Sequence, residues 1–263
     1  FNGNGIDNEG YGGAMYIDSG VATLTNVIFS ENYTDWVGGG LYVNSVDDLI
    51  LTNVQFINND AGHAGGGMFI EGSNSNITLT DVEFIGNTAE ECGGVVYREG
   101  SSGNLTLSNV IFSENSAEIG GGLCDGEGGN ISLTNTTFIG NTASGSYGAG
   151  AIASGWGTGN LRLPNRSNVI LKNTVMWNNT PNAISVLDNS ADIVITYSDI
   201  QGGEEEIQYY YGADAGNVNW GDGNIDADPL FCDIENSDFT VRSDSPVLGA
   251  GQDGVDMGAF GVG

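Results

Sequence analysis

Apolar and polar positions alternate along short stretches of the chain, and these stretches recur with a fixed step. The clearest one reads Leu107-Ser-Asn-Val-Ile-Phe-Ser-Glu-Asn115 and is followed by Gly120-Gly-Gly-Leu123. Alternation with period two and β-branched residues is typical of half-buried β-strands. With Phe112 as the reference, equivalent positions recur every 26 to 28 residues, apart from one step of 38. They are Phe1, Phe29, Phe56, Phe84, Phe112, Phe138 and Met176.

Asparagine follows the same step on both sides of the reference position. Three residues after it stand Asn4, Asn32, Asn59, Asn87, Asn115, Asn141 and Asn179. Three residues before it stand Asn26, Asn53, Asp81, Asn109, Asn135 and Asn173. A fixed period in this range, carried by strand-like pieces, is the sequence signature of a solenoid.

Each repeat predicts three strands: two that meet at the Asn before the reference position, and one that follows a glycine corner. The sequence therefore predicts an all-β fold, a right-handed single-stranded parallel β-helix of about seven to eight coils of 26–28 residues. Like side chains would stack on like, so that Leu and Phe build a shared core and Asn amides chain to one another. Glycine at the third corner permits positive φ and close approach of the backbone.

The repeat divides the chain into two parts. Residues 1–200 are assigned to the coils, of which the first is incomplete because the chain begins on a reference Phe. Either processing or a longer parent protein would explain that start. Residues 201–263 are assigned to an irregular excursion and a C-terminal capping segment packed on the same solenoid. We expect this segment to cover the open end, because an unpaired strand edge promotes aggregation.

The charge of the chain restricts its partners. Five Lys and Arg stand against 34 Asp and Glu, which gives a formal net charge of −29. Such a surface repels nucleic acid and anionic membranes, and it attracts cations that could bridge acidic surfaces. No run approaches the roughly 20 apolar residues that a membrane-spanning helix needs. The sequence thus predicts no nucleic-acid partner and no membrane insertion.

The three cysteines suggest no disulfide framework. Cys92 lies four residues before Val96, whereas Cys124 lies one residue after the equivalent Leu123. On neighbouring extended strands this offset of five positions corresponds to roughly 16 Å. That separation predicts that Cys92 and Cys124 are too far apart to form a disulfide.

One stretch is a candidate metal site. Asp222, Asn224, Asp226 and Asp228 place four oxygen-bearing side chains at alternate positions. Calcium accepts six to eight hard oxygen ligands in flexible geometry, so calcium is the cation this set would hold. The stretch is not an EF-hand, because Ala227 replaces the turn glycine. The alternative is that these side chains bond backbone amides in the tail, and the sequence favours that alternative.

Catalytic patterns are hard to find in this chain. Hydrolases on a β-helix need two carboxylates across one groove, and the chain offers Asp47-Asp48 without the remaining motifs of that class. The single histidine, His63, stands beside a glycine corner and is typical of a turn residue. A lyase would need a cluster of basic residues, but only Lys172 and four scattered arginines are present. A protruding loop with Trp156, Arg162 and Arg166 is a candidate sugar-binding loop, although an ordinary insertion is the simpler interpretation.

The C-terminal part carries a more specific resemblance. Its motifs are Tyr197-Ser-Asp-Ile-Gln-Gly-Gly203, Gly223-Asn-Ile-Asp-Ala-Asp-Pro-Leu-Phe231, Ser245-Pro-Val-Leu-Gly-Ala-Gly251 and Asp256-Met-Gly-Ala-Phe260. They resemble the tail of bacterial right-handed parallel β-helix proteins with a choice-of-anchor Q module. The upstream Leu-Thr-Asn-Val-x-Phe units are similar to that family and to polymorphic outer-membrane proteins. The resemblance implies a secreted or surface-displayed protein with a sorting segment after the tail, and it supplies no catalytic residues.

These observations favour a non-enzymatic extracellular structural or adhesive surface protein. An incomplete first coil suggests the sharper hypothesis that copies stack head to tail into filaments or a surface layer. Two alternatives remain open: a polysaccharide-active lyase or hydrolase, and a calcium-dependent glycan-binding module. Candidate partners are accordingly other copies of the chain, bridging cations and glycans. The excursion with Glu204–Glu206 and Tyr209–Tyr211 is a candidate interaction surface or a solvated loop.

Overall fold

The computed structural model describes residues 1–7, 10–72, 75–94, 96–99, 103–126, 129–155, 167–189 and 191–263. Its strands pair in parallel with the strands one repeat away, and they form an all-β solenoid of about seven turns. The predicted parallel β-helix is thereby confirmed. The residue register is that of the sequence repeat: Leu79 pairs with Leu107, and Phe84 pairs with Phe112.

Four faces make up a complete coil. The faces are named from the asparagine three residues before the reference position, such as Asn109, where the chain bends. The first face is the strand before this asparagine, the second face is the strand after it, and the third face is the strand after the glycine corner. The strands of these three faces form one sheet, with bounds Met15–Ser30, Leu41–Ile57, Met68–Glu71, Asn76–Ile85, Val96–Glu99, Asn104–Ser113, Leu123–Asp125, Gly129–Thr134, Thr137–Ile139, Ile152–Ser154, Ser167–Lys172, Val175–Trp177, Ile184–Val186, Ala191–Thr196, Asp199–Ile200, Ile207–Tyr209 and Val218–Trp220.

A fourth face was not predicted. Two-residue strands form a separate parallel sheet between the second face and the glycine corner: Gly5–Ile6, Tyr33–Thr34, Asp60–Ala61, Thr88–Ala89, Ser116–Ala117 and Thr142–Ala143. Two residues are too few to show an alternating pattern, so no periodic signal marks these strands. Ala61, Ala89 and Ala117 stack on this face as a small apolar column.

The bend between the first and second faces has a clear local cause. Asn53, Asp81, Asn109 and Asn135 have φ between 51° and 55°, in the left-handed region. Asn and Asp tolerate this region better than other residues with a side chain, because their short polar groups can bond locally. The predicted bend at this asparagine is therefore present, and it turns the chain without a glycine.

The glycine corner needs glycine for two separate reasons. Gly65 has φ of 66°, and a Cβ atom on its neighbour Gly66 would lie 2.0 Å from the carbonyl oxygen of Thr88 in the next coil. Positive φ and backbone contact of this kind are accessible only without a side chain. The corner places the third face over the core and leaves a groove on the outside.

The core follows the predicted columns. Phe29, Phe56, Phe84, Phe112 and Phe138 are fully buried. Their rings are stacked with centroids 4.4 to 5.1 Å apart, and Met176 continues the column. Aliphatic columns of the first and third faces pack against this aromatic column. No single coil could bury these side chains alone, so the stability of each coil depends on its neighbours.

The end of the regular coils and the tail occupy different places. Ile207–Tyr209 pairs with Ile184–Val186, and Val218–Trp220 pairs with Ala191–Thr196, so residues 207–220 extend the sheet by a partial coil. The segment after Phe231 packs instead against the side of the second face, where Phe239 contacts Ile111 and Ile139. The tail thus covers an outward apolar patch on the second face, and the expectation that it covers the open end stays a prediction.

This side packing is held by polar contacts to the coils. The amide of Gln252 donates to Asn173 Oδ1 at 2.9 Å, and the amide of Ala259 donates to Thr137 Oγ1 at 3.0 Å. Val241, Val247 and Met257 of the tail form an apolar cluster with Val175 of the second face. The tail contains a short antiparallel pair, Phe231–Asp233 with Asp238–Val241. It also has two 3-10 turns, Ile234–Asn236 and Gln252–Gly254. Two further 3-10 turns, Gly203–Glu206 and Ala215–Asn217, lie before the tail.

The prediction for the cysteines was wrong, because Cys92 and Cys124 form a disulfide with Cα atoms 5.9 Å apart. The offset of five positions assumed a straight strand, whereas the chain turns at Gly93, which has φ of 65°. Cys92 therefore lies before the corner in register with Ile119, and Cys124 lies after the corner on the third face. These two positions pack together in a buried apolar cluster with Ile119 and Ala153.

We expect the disulfide to stabilise the solenoid substantially. It closes a segment with a sequence separation of 32 residues, so the double variant Cys92→Ser/Cys124→Ser should lose about 3 kcal/mol of unfolding free energy. Urea unfolding measures this loss. Cys232→Ser is the matched control, because Cys232 is exposed and free and its replacement should leave the midpoint unchanged. Thiol titration of the unfolded, unreduced chain should find one thiol; three would refute the disulfide.

Candidate functional site: the end of the amide ladder

A column of asparagine side chains runs through the solenoid beside the phenylalanine column; we call it the amide ladder. Each Nδ2 donates to the Oδ1 one coil further on, from Asn4 to Asn179, with distances of 2.8 to 3.0 Å. Asn59, Asn87 and Asn115 are fully buried. Buried amides are tolerated only when their polar atoms are paired, and here the repeat itself supplies the partners.

Ladder residues also bond the backbone. The Oδ1 of Asn115 accepts from the backbone amide of Asn87 at 2.8 Å as well as from its side chain. The Nδ2 of Asn87 donates a second hydrogen to the carbonyl of Phe56 at 2.9 Å. One asparagine per coil thus closes the turn that joins the second face to the fourth.

The ladder stops at Asn179. Met176 pairs with Ile200, so Gly203 stands three residues after the next reference position, where each earlier coil has an asparagine. Gly203 offers no side-chain oxygen. Among the described residues, the backbone N–H of Asn179 and the second hydrogen of its Nδ2 consequently have no acceptor, while the first hydrogen bonds the Phe138 carbonyl at 2.9 Å.

A cavity lies at this open ladder position. It has a volume of about 470 Å³ and is lined by Met176, Asn179, Pro181, Ala183 and Glu206, among others. Met176 and Ala183 give it an apolar floor, and the side chains of Gln201 and Glu206 stand at its rim. The Glu206 carboxylate makes no hydrogen bond to another side chain in the described part of the chain. Cavities of this size with a few convergent polar groups are the usual form of small-molecule sites.

A second cavity, of about 480 Å³, continues the first. Pro181 and Glu206 line both, and the second adds Ser144, Gln208 and Tyr210. The two together form what we call the ladder-end cleft, which runs from the second face across the fourth face to the third. Its position is fixed by the coil that is interrupted after Ile200.

Tyr210 lines the cleft, and its ring belongs to a cluster with Tyr147 and Tyr211. The ring of Tyr147 stands edge-on to Tyr210 at 5.3 Å and is tilted against Tyr211 at 5.0 Å. A hydrogen bond with Tyr147, together with desolvation, raises the pKa of Tyr211 to about 12. Tyr147 and Tyr211 are 41% and 57% exposed, so two neutral aromatic rings are held in place and open to solvent.

The predicted metal residues lie on the turn that joins the partial coil to the tail. Asn224 is fully engaged: its Oδ1 accepts from the Ser198 amide, and its Nδ2 donates to the carbonyls of Ile195 and Gly221. Asp226 accepts from the Gly202 amide at 3.0 Å. Asp228 accepts from the Leu230 amide at 2.9 Å and Asp222 is exposed. Within the described residues no three His, Cys, Asp or Glu side chains are grouped closely enough to hold a metal ion, and calcium binding stays a prediction.

A buried carboxylate lies beside that turn. Asp199 is fully buried; its Oδ1 accepts from the Ala227 amide at 3.0 Å, and its Oδ2 has no hydrogen-bond partner among the described residues. Burial raises its pKa to about 7, the bond from Ala227 opposes the shift, and the negative charges of Asp226 and Asp228 add to it. Asp199 stands on the second face in register with Val175, which is the uncharged residue of the preceding coil.

The other residues singled out from the sequence lie elsewhere. The ring of His63 is tilted against Trp36 with centroids 4.5 Å apart and approaches Glu91 at 3.4 Å, at the glycine corner where a turn residue was expected. Asp48 accepts from Asn76 in a solvent-exposed row of amides. The candidate loop with Trp156, Arg162 and Arg166 lies outside the described residues. Neither His63 nor Asp48 contributes to the ladder-end cleft.

Sequence reasoning missed the cleft, although a signal was present. Each earlier reference position is followed three residues later by an asparagine. Three residues after Ile200, the next reference position, stands Gly203, and this missing asparagine marks the end of the ladder. The tyrosines carry no such signal: Tyr147 and Tyr211 lie far apart along the chain, and only the coil geometry brings them together.

In comparisons with protein-family models, with curated proteins and with solved structures, none matches this chain. The structure shows a parallel β-solenoid, and no family model supports the finer likeness to choice-of-anchor Q or polymorphic outer-membrane proteins.

Proposed function

We propose that the protein is a non-enzymatic structural or adhesive component of an extracellular or cell-surface layer. The observation that carries the proposal is the unbroken like-on-like stacking from Asn4 to Asn179, in which each coil is completed by its neighbours. Such a scaffold is rigid, because neither the amide ladder nor the phenylalanine column can open at one coil without leaving buried groups unpaired.

Two further features support an extracellular setting. The Cys92–Cys124 disulfide favours an oxidising compartment, because intracellular thiols are usually kept reduced. The resemblance of the tail to choice-of-anchor Q modules points to the same setting and forms part of the proposal. The described part of the chain contains no helix that could span a membrane.

Head-to-tail assembly is the sharper form of the proposal. Within the described residues, strand Met15–Ser30 pairs along its length with one neighbour, Leu41–Ile57. In the same part of the chain, its other edge contacts only the first residues, through the bridge from Ser30 to Asn2 and the bond from the Phe1 amino group to the Ile28 carbonyl. Wherever such an edge ends the solenoid, it is a template for strand addition. With a net charge of −29, added coils would repel one another, so cations such as calcium would favour assembly.

Electron microscopy and analytical ultracentrifugation of the purified protein test this form, with and without millimolar calcium. We expect filaments or higher oligomers in calcium. Ala22→Lys should abolish them, because Ala22 is partly buried against the core on the inner side of the edge strand and its lysine would be buried in an assembly. Thr23→Lys is the control, since Thr23 is exposed and its lysine would stay in solvent. Monomers under all conditions would contradict assembly.

A further inference from the structure

We propose that the ladder-end cleft binds a glycan containing N-acetylhexosamine, with the acetamido group at the open ladder position. Two N–H groups of Asn179, the backbone amide and one Nδ2 hydrogen, face this position. In every earlier coil such a pair meets the Oδ1 of an asparagine, as Asn141 meets Asn179 at 3.1 and 2.9 Å. An acetamido oxygen is a carbonyl of the same chemical type and can accept both bonds.

The acetamido N–H can take the place of the Nδ2 donor of the asparagine that Gly203 replaces. In the ladder, each Nδ2 donates to the reference carbonyl of the preceding coil, as Asn179 does to Phe138. The equivalent carbonyl for the open position belongs to Met176, which already accepts from the Gln201 amide at 3.0 Å. A carbonyl has two lone pairs, so the acetamido N–H can donate to the second. An amide group thus reproduces the bonds that an asparagine would make.

The rest of the cleft fits a neutral sugar. Met176 and Ala183 offer apolar contact to the acetamido methyl group, and Glu206 and Gln201 offer acceptors and donors to ring hydroxyls. Tyr210 lines the second cavity, where a second sugar would lie, and the exposed ring of Tyr147 contacts the rings of both Tyr210 and Tyr211. Tyrosine presents an apolar face and a polar hydroxyl, which suits the mixed surface of a pyranose. The acidic surface disfavours anionic glycans.

This inference goes beyond the proposed structural role, since the rod and its assembly do not depend on the cleft. Calorimetry with N,N′-diacetylchitobiose and with cellobiose tests it on the unaltered chain. Cellobiose is the matched ligand because it carries hydroxyl groups where chitobiose carries the acetamido groups. We expect chitobiose to bind at least about tenfold more tightly, because a site that pairs with a polar group rejects the analogue lacking it.

Two variants test the assignment of residues. Asn179→Asp keeps the oxygen that accepts from Asn141 and removes the Nδ2 donors but not the backbone N–H, so chitobiose binding should weaken toward the level of cellobiose. Glu206→Gln should weaken both ligands alike, whereas Glu205→Gln, on the exposed side of the same turn, should change neither. Thermal unfolding checks that each variant is folded, and the comparison of ligands on the unaltered chain stands without them. Equal affinity for the two disaccharides, or no heat with either, would overturn the proposal.

Discussion

Replacing Asn87 by Ala should lower the free energy of unfolding by about 4 kcal/mol, which is a large fraction of the stability of a typical domain. The Asn87 side chain is fully buried, and its two polar atoms make four hydrogen bonds. Its removal leaves the backbone amide of Asn59 and one of its two Nδ2 hydrogens without an acceptor, while the other still donates to the Phe29 carbonyl, and it leaves the Phe56 carbonyl without this donor. Unpaired buried polar groups cost about 1–3 kcal/mol each, partly offset where water enters the cavity.

Asn104→Ala is the matched control for this prediction. Asn104 is also part of an amide row, donating to Asn76 at 2.9 Å and accepting from Asn130 at 3.0 Å, but it is exposed. Water can replace its bonds, so we expect a loss of less than about 1 kcal/mol. Urea unfolding of both variants gives the comparison. Equal losses of unfolding free energy in the two variants would mean that burial does not determine how much the ladder contributes to stability.

Replacing Asp199 by Asn should raise the free energy of unfolding at alkaline pH, whereas replacing Asn87 by Ala lowers it. Folding raises the pKa of Asp199 from 3.8 to about 7, so the native chain binds a proton more tightly than the unfolded chain does. The contribution of Asp199 to stability is therefore full below pH 3.8 and is lost as the pH rises through 7. A shift of this size corresponds to about 4 kcal/mol at alkaline pH, which the uncharged Asn should recover.

The measurement is the difference in unfolding free energy between variant and unaltered chain at about pH 4 and about pH 8, on either side of the raised pKa. This difference should be near zero at the acidic value and strongly stabilising at the alkaline one, because subtraction removes the titration of the other carboxylates. Asp222→Asn serves as control: Asp222 is exposed on the same turn, and its replacement should stay within about 0.5 kcal/mol at both values. A difference that does not change with pH would show that Asp199 is not buried as a carboxyl group.

Both predictions depend on how far side-chain periodicity determines this fold. The positions of Phe84 and Asn87 recur along the regular coils, and stacking in register follows directly from that recurrence. The sequence could not reveal which asparagine column is buried, because asparagine dominates the columns both before and after the reference Phe. The difference arises at the bend, where Asp81 and Asn109 adopt positive φ and turn outward into solvent.

Features that depend on corners could not be predicted in the same way. The Cys92–Cys124 disulfide requires the turn at Gly93. Counting residues along an extended strand cannot reveal such a turn. The tail follows no repeat, so its contact through Phe239 with the second face had no periodic signal. The ladder-end cleft combines both difficulties, because a missing asparagine marks one side and residues from distant coils form the other.

The central claim is that one buried ladder of amides joins the coils, and hydrogen exchange of side-chain amides observed by NMR tests it most directly. The Nδ2 hydrogens of Asn59, Asn87 and Asn115 should exchange far more slowly than those of Asn76, Asn104 and Asn130, which form an exposed row with the same spacing. Similar rates in the two sets would contradict the buried ladder, and with it the stacking of like residues on like.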